Sequence, residues 1–346
     1  MILTVSFGSA GMSRNLDLVH IRSLVTTVAR IGIDAVLFVR SPGVGSPMLD
    51  AQPLIGALAS LPVELGLGAS VPIDYTEPFH LARTLAALDR LTKGRSAVVI
   101  DLAAGSDCAA QFGRGPRKTG SHARAAEFLE VTTKLWDSWE DGALLVDRPG
   151  GLFTDADKIH RIDHDGPYFT VRGPLNAPRP IQGWPVIIMP VASPAASEVA
   201  AQMADVALIT CTTPNVAQSA CADIRGKAAA HGRRLQAIRI LVDFIPILGR
   251  TEAEARRRAE AGGESSKDTL RFVGTPKRCA ALMRDWITVG ACDGFNLLLP
   301  TSVADTAAEA RLLAACVSAC ARPTTAGDGT LRGRLRLARP PSRYAA

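Results

Sequence analysis

A chain of 346 residues, 47% hydrophobic and 21% charged, can bury a sizeable core and is not disordered over most of its length. Its net charge of +6 lies mostly at one end: residues 322–346 hold six Arg and one Asp, so the rest is near +1 and no face for nucleic acid is indicated. Seven Cys without a C-x-x-C pair fit neither a disulfide framework nor a metal cluster, and they suit a reducing cytoplasm.

The chain opens on a strand-like run, ILTVSF, with no basic segment and long apolar run of a signal peptide, and no later run is long enough to span a bilayer. The expectation is a cytoplasmic protein without a membrane partner. Period-two and β-branched runs predict strands at 2–7, 35–39, 63–68, 97–101, 185–189, 206–210, 238–244 and 294–299. Helical spacing predicts helices at 16–31, 50–60, 78–92, 124–139, 195–203, 216–231, 251–261, 276–289 and 303–321.

Eight strands alternating with helices predict an α/β fold, a (β/α)8 TIM-like barrel. The alternative is an open doubly wound sheet, but no G-x-G-x-x-G follows the first strand. Residues 142–184, rich in Gly, Pro and Asp, break the alternation and predict a long insertion between strands 4 and 5, with a hairpin around Asp165-Gly166. The expected organisation is one barrel domain over 1–321 and a basic tail over 322–346, solvated or packed between subunits.

The stretch EPFHLARTLAALDRLTKGR, 77–95, reads as a helix with Pro at its start and Gly past its end. Its Glu77, Pro78, Phe79, Ala82, Arg83, Ala86, Leu88, Asp89, Leu91, Gly94 and Arg95 resemble a pattern of the bacterial luciferase-like flavin monooxygenases. The narrower resemblance is to the branch with nitrilotriacetate monooxygenase component A, pristinamycin synthase and dibenzothiophene-sulfone monooxygenase. Four further blocks agree in order. They are RAAEFLEVTTKLWDSWEDGAL from Arg124, IDHDGPYFTVRGPLNAPRPIQGWPVI from Ile162, FVGTPKRCAALMRDWITVGACDGFNLL from Phe272, and TLRGRLRL from Thr330.

The resemblance implies a barrel that takes reduced FMN as co-substrate from a separate flavin reductase and, with O2, oxygenates a small organic molecule. It implies no metal and a homo-oligomer, usually a dimer. The implied cofactor-binding positions are Ser70 after the third strand, His122 before the following helix, and Ala192 and Ser193 after the fifth strand, where a helix N-terminus favours a phosphate. Several positions depart from the family pattern: Arg40 replaces an acid, Pro72 a residue with a hydroxyl, Val99 and Leu102 a polar Asn and Thr, His122 a Tyr, Val191 a Gly and Ala192 a Ser. These departures leave open a paralogue without flavin chemistry, acting as a partner subunit or small-ligand-binding barrel. No catalytic residue is assigned from sequence.

Other polar residues have plainer readings. Asp89 with Arg83 or Arg95 pins a helix to a loop, and His80 is exposed. His160 and His164 lie on loop and strand rather than one helix face, which does not suit a metal site. Trp136 and Trp139 are expected to pack on the insertion. Arg40 and Asp101, at the ends of the second and fourth strands, are a candidate ion pair across the barrel mouth.

Overall fold

A computed structural model describes residues 1–8, 17–39, 49–102, 122–261, 267–299, 307–321 and 328–344. Strands β1 (Ile2–Gly8), β2 (Ala35–Val39), β3 (Gly66–Pro72) and β4 (Ser96–Asp101) are followed by two short hairpins, β5 (Leu144–Asp147) with β6 (Leu152–Thr154) and β7 (His164–Asp165) with β8 (Thr170–Val171). Then come β9 (Val186–Val191), β10 (Val206–Ile209), β11 (Arg239–Leu248), β12 (Leu270–Gly274) and β13 (Gly294–Leu298). Eight of these pair in parallel in the order β1-β2-β3-β4-β9-β10-β11-β13, and β13 returns to β1, which closes the barrel. Closure leaves no free edge among these eight strands where they line the barrel.

Several boundaries differ from the sequence expectation, with β11 running on to Leu248 where an end at 244 was expected. The third strand begins at Gly66, not at 63, because the Arg95 guanidinium takes the carbonyls of Val63 and Leu65 before strand pairing starts. β12 was not expected. It pairs with the outer half of β11, from Phe244↔Leu270 to Leu248↔Gly274, beyond the part of β11 that lines the barrel.

Helices α1 (Leu18–Ile31), α2 (Ala51–Leu58), α3 (Pro78–Leu91), α4 (His122–Asp137), α5 (Pro194–Met203), α6 (Pro214–Ala230), α7 (Glu252–Ala261), α8 (Pro276–Thr288) and α9 (Ala307–Ala319) surround the strands, and a short α10 (Leu331–Arg334) lies at the base. Local chemistry sets their ends. Asp17 and Asp50 cap α1 and α2 through their side chains, and Pro stands in the first turn of α3, α5, α6 and α8, where its missing N–H costs nothing. After α3 the chain turns at Gly94, whose φ of +80° suits a residue without Cβ.

Alternation along each strand divides the core into two shells. Inside the barrel lie Leu37, Ala97, Val99, Ile188, Leu208 and Leu241, closed at the base by Leu331, Leu335 and Leu337. The opposite strand faces carry Leu3, Val5, Phe38, Ile100 and Ile187 against the helices.

The C-terminal residues 328–344 are thus not a solvated extension. Arg332 is 3% exposed, and Leu331 N–H donates to the Gly94 carbonyl at 2.9 Å. Arg339 ion-pairs with Asp141 at 2.7 Å, and Arg343 reaches Asp137 at 3.5 Å. Arg332, Arg334, Arg339 and Arg343 of this segment are spent on carboxylates, which accounts for most of a charge excess that reads as free in the sequence; Arg336 has no such partner among the described residues.

The motif helix and the insertion are pinned as scaffold, with different partners from those expected. Asp89, fully buried, accepts from Ser96 Oγ at 2.8 Å and from Gln182 Nε2 at 2.6 Å, not from Arg83 or Arg95. Arg95 instead binds backbone carbonyls. Trp139 packs on the insertion as expected, donating to Leu175 O at 2.6 Å, whereas Trp136 donates to Ala82 O on α3 at 3.0 Å.

Candidate functional site

The mouth of the barrel lies at the C-terminal ends of its strands, and several polar side chains line the inner face towards it. Thr4 and Ser6 alternate on β1 with Ile2, a base residue of the interior, so they share its inward direction. Thr4 Oγ1 donates to Asn296 Oδ1 at 2.8 Å and Ser6 Oγ to the same oxygen at 3.0 Å. Asn296 Nδ2 donates to Asp243 Oδ1 at 2.8 Å, across a register in which the two residues are direct partners. Thr210, exposed at the end of β10, donates to Asp243 Oδ2 at 3.3 Å. Five side chains on four strands thus form a polar wall from the buried Thr4 to the open mouth.

Asp243 is the charged centre of this wall. Burial pushes its carboxyl up to about 6, against the hydrogen bonds from Asn296 and Thr210 that hold it down. A carboxyl in that range can hold or release a proton near neutrality. The adjacent Cys211 is pushed up to about 11, by burial and then by the Asp243 charge, so it stands as a neutral thiol.

The third and fourth strands contribute the opposite wall. Gly68 faces Leu37 and Ala97 inside the barrel, so Ser70, two residues on, also faces inward. Asp101 ends β4 beside Pro72. Its suggested partner Arg40 lies outside the described residues. Val99 is 1% exposed and belongs to the interior floor, while Leu102 is half-buried against the outer core.

Helices α4 and α5 follow neighbouring strands and pack together, so their N-termini stand side by side at the mouth. His122 is the half-buried first residue of α4. Two residues later, Arg124 donates to Ile73 O at 2.9 Å, ion-pairs with Asp74 at 3.6 Å and lies over the Phe169 ring at 4.6 Å, which fixes this helix end. Ser193 caps α5, its Oγ accepting from Ala196 N–H at 3.1 Å, and Ala192 is exposed beside it. Pro194 has no N–H, and Ser197 N–H bonds to Ser193 O. The Ala195 N–H and the Ser193 hydroxyl hydrogen are therefore directed to whatever lies at the helix end.

His160 and His164 have separate partners. His160 Nε2 lies 2.6 Å from Glu140 and its ring stacks on Tyr344, while His164 Nε2 lies 3.1 Å from Glu127. Among the described residues no group of three or more His, Cys, Asp or Glu could hold a metal ion.

The model of the luciferase-like monooxygenase family matches residues 1–284, most of the chain. The chain belongs to the luciferase-like monooxygenases. It is 30% identical to N-acetyl-S-(2-succino)cysteine monooxygenase of Bacillus subtilis (strain 168), over 83% of this chain and 82% of that protein. It is 38% identical to nitrilotriacetate monooxygenase component A of Aminobacter aminovorans over 62% of this chain, an alignment that spans about half, 48%, of that relative. EDTA monooxygenase from Chelativorans sp. BNC1 has the same fold, with a TM-score of 0.85 over 99% of both chains at 22% identity. As a luciferase-like monooxygenase the protein is an enzyme that uses reduced flavin and O2.

The residues present fit that cofactor. The α5 N-terminus offers a backbone N–H and a hydroxyl to a phosphate, and the mouth joins an apolar floor to a polar wall of the kind a planar heteroaromatic ring requires. Thr4, Ser6, Thr210, Asp243 and Asn296 were not singled out from the sequence. The signal was present as polar residues at period two within otherwise apolar strands, but its meaning depends on which strands become neighbours.

Proposed function

We propose that this chain is the oxygenase component of a two-component flavin monooxygenase, fed with reduced FMN by a separate reductase and acting on a small organic molecule. The observation that carries this reading is the polar wall around Asp243, which opens at the barrel end where Ser70 and the α4 and α5 N-termini converge. Ser193, Ala192 and the Ala195 N–H hold the phosphate, with His122 on the neighbouring helix end and Ser70 facing the ring. When bound, reduced FMN supplies the electrons and, with O2, the oxygen atom.

The chain's own task is positioning, water exclusion and proton handling. The apolar floor of Leu37, Val99, Ile188 and Leu208 keeps water from entering beneath the ring. Asp243, with its carboxyl near 6, holds or takes a proton at the carboxylate oxygen shared with Thr210. No helix among the described residues is long and apolar enough to cross a membrane, and the proposed setting is the cytoplasm, as a homo-oligomer.

The test is titration with oxidised FMN, then with reduced FMN under anaerobic conditions. Reduced FMN should bind with Kd in the micromolar range, about −8 kcal/mol. No binding at high micromolar reduced flavin would overturn this reading and leave the non-flavin paralogue in its place.

A further inference from the structure

At the end of the barrel opposite the mouth, the starts of β1 and β11, the turns before β2 and β13, and the C-terminal segment enclose a cavity of about 280 Å³. Its wall carries four arginines, Arg225, Arg239, Arg334 and Arg336, against two carboxylates, Asp34 and Asp293. The carboxylates are committed to the fold. Asp293 accepts two hydrogen bonds from Arg225 Nη2, at 3.0 and 2.9 Å, and one from Ile240 N–H at 2.8 Å. Asp34 accepts from Leu3 N–H at 2.8 Å, and Arg334 is taken up by Glu64 at 3.2 Å.

Two guanidinium groups have no carboxylate in hydrogen-bond contact among the described residues. Arg239 donates only to carbonyls, those of Leu335 and Arg336, which satisfy its donors without cancelling its charge. The Arg336 guanidinium is exposed and has no hydrogen-bond or ion-pair partner among the described residues. Burial lowers the Arg239 pKa first of all; the Asp293 charge opposes this, and the nearby charges of Arg336 and Arg225 add to it, so the cations here outnumber the anion beside them.

Planar guanidinium groups bind phosphate and carboxylate oxygens through paired N–H donors, and two such groups facing one cavity suit a dianion. We infer that this basal cavity binds a small phosphate-class dianion between Arg239 and Arg336, with Arg225 at its side. The volume admits phosphate with a short organic group and is below the usual range for larger ligands. The location predicts its consequence. The stable base of such a barrel is remote from the chemistry, so an anion here ties the C-terminal segment to four strand starts and raises stability.

The test is thermal unfolding and calorimetric titration of the full chain with orthophosphate, pyrophosphate and glycerol 3-phosphate, at constant ionic strength set with chloride. A saturable rise in Tm is expected at millimolar anion. Arg336→Glu should weaken binding at least tenfold while leaving the fold intact, because the Arg336 side chain makes no hydrogen bond or ion pair among the described residues, and its backbone contacts to Arg239 and Gly333 do not depend on the side chain. Arg83→Glu, an exposed residue on α3, should leave binding unchanged. Binding of orthophosphate alone identifies a free-anion site, and preference for glycerol 3-phosphate an esterified ligand. No saturable response at about 10 mM anion, or an equal response in Arg336→Glu, overturns the assignment.

Discussion

The Arg332 guanidinium donates to both carboxylate oxygens of Asp205, at 2.9 and 2.6 Å, across 127 residues of sequence. The pair is buried, and Asp205 Oδ2 also accepts from Ile187 N–H at 2.9 Å. It locks the C-terminal segment to the turn before β10. Replacing Arg332 with Leu leaves the Asp205 charge buried and should lower stability by about 3–5 kcal/mol. Urea unfolding measures this, and a loss below 1 kcal/mol would show that the segment is held by its leucines alone.

Asp243 predicts a pH dependence with a definite sign. Its folded pKa of about 6 exceeds the ordinary value of 3.8, so its stabilising contribution is fully present below the unfolded pKa and is lost as pH rises through 6. The shift corresponds to roughly 3 kcal/mol. Asp243→Asn should therefore match the parent chain near pH 4 and exceed it by up to that amount at pH 8, as read from urea midpoints at each pH. If Asp243 also handles a proton in turnover, the same variant flattens the acidic limb of the pH–rate profile.

The α5 N-terminus predicts opposite effects from two neighbouring substitutions. Ser193→Ala removes a helix cap worth about 1 kcal/mol and a phosphate donor, so reduced-FMN affinity should fall about tenfold. Val191→Gly removes a side chain at the approach to the same helix end and should tighten FMN binding severalfold. Fluorescence titration distinguishes them. Unchanged affinity in both would place the phosphate elsewhere.

Barrel closure predicts a glycine requirement. A Cβ on Gly294 would collide with the backbone carbonyl of Ile2, its partner in the β1–β13 pairing. Gly294→Ala must open that seam and should cost at least 1–3 kcal/mol, about the penalty for overpacking a core. Gly226→Ala, in the exposed middle of α6 with open space around it, should instead be neutral or stabilising by up to about 1 kcal/mol. Thermal unfolding of the two variants compares them directly.

Much of the barrel was legible because its signals are local. Strands such as AVLFV and PVIIM are apolar on both faces, and helices such as α3 carry their own start and stop residues. The motif blocks then pointed to the family and to a mouth containing Ser70, Ala192 and Ser193. The late start of β3 was less legible, because Arg95, 30 residues away, decides it by taking the Leu65 carbonyl.

The sequence by itself determined the alternation of strands and helices, the family, and the residue types available at each strand end, because these depend on spacing along the chain. Tertiary structure decided which of those residues became one site. Thr4, Asp243 and Asn296 are scattered in sequence, and only closure of β13 onto β1 and β11 brings them within hydrogen-bond reach. It also decided the fate of the terminal arginines. Charge read along the chain looks solvated, but a buried pair with Asp205 and ion pairs with Asp141 and Asp137 turn Arg332, Arg339 and Arg343 into the fastening of the barrel base. Composition counts charges, whereas only the fold sets the dielectric and the partner that each one meets.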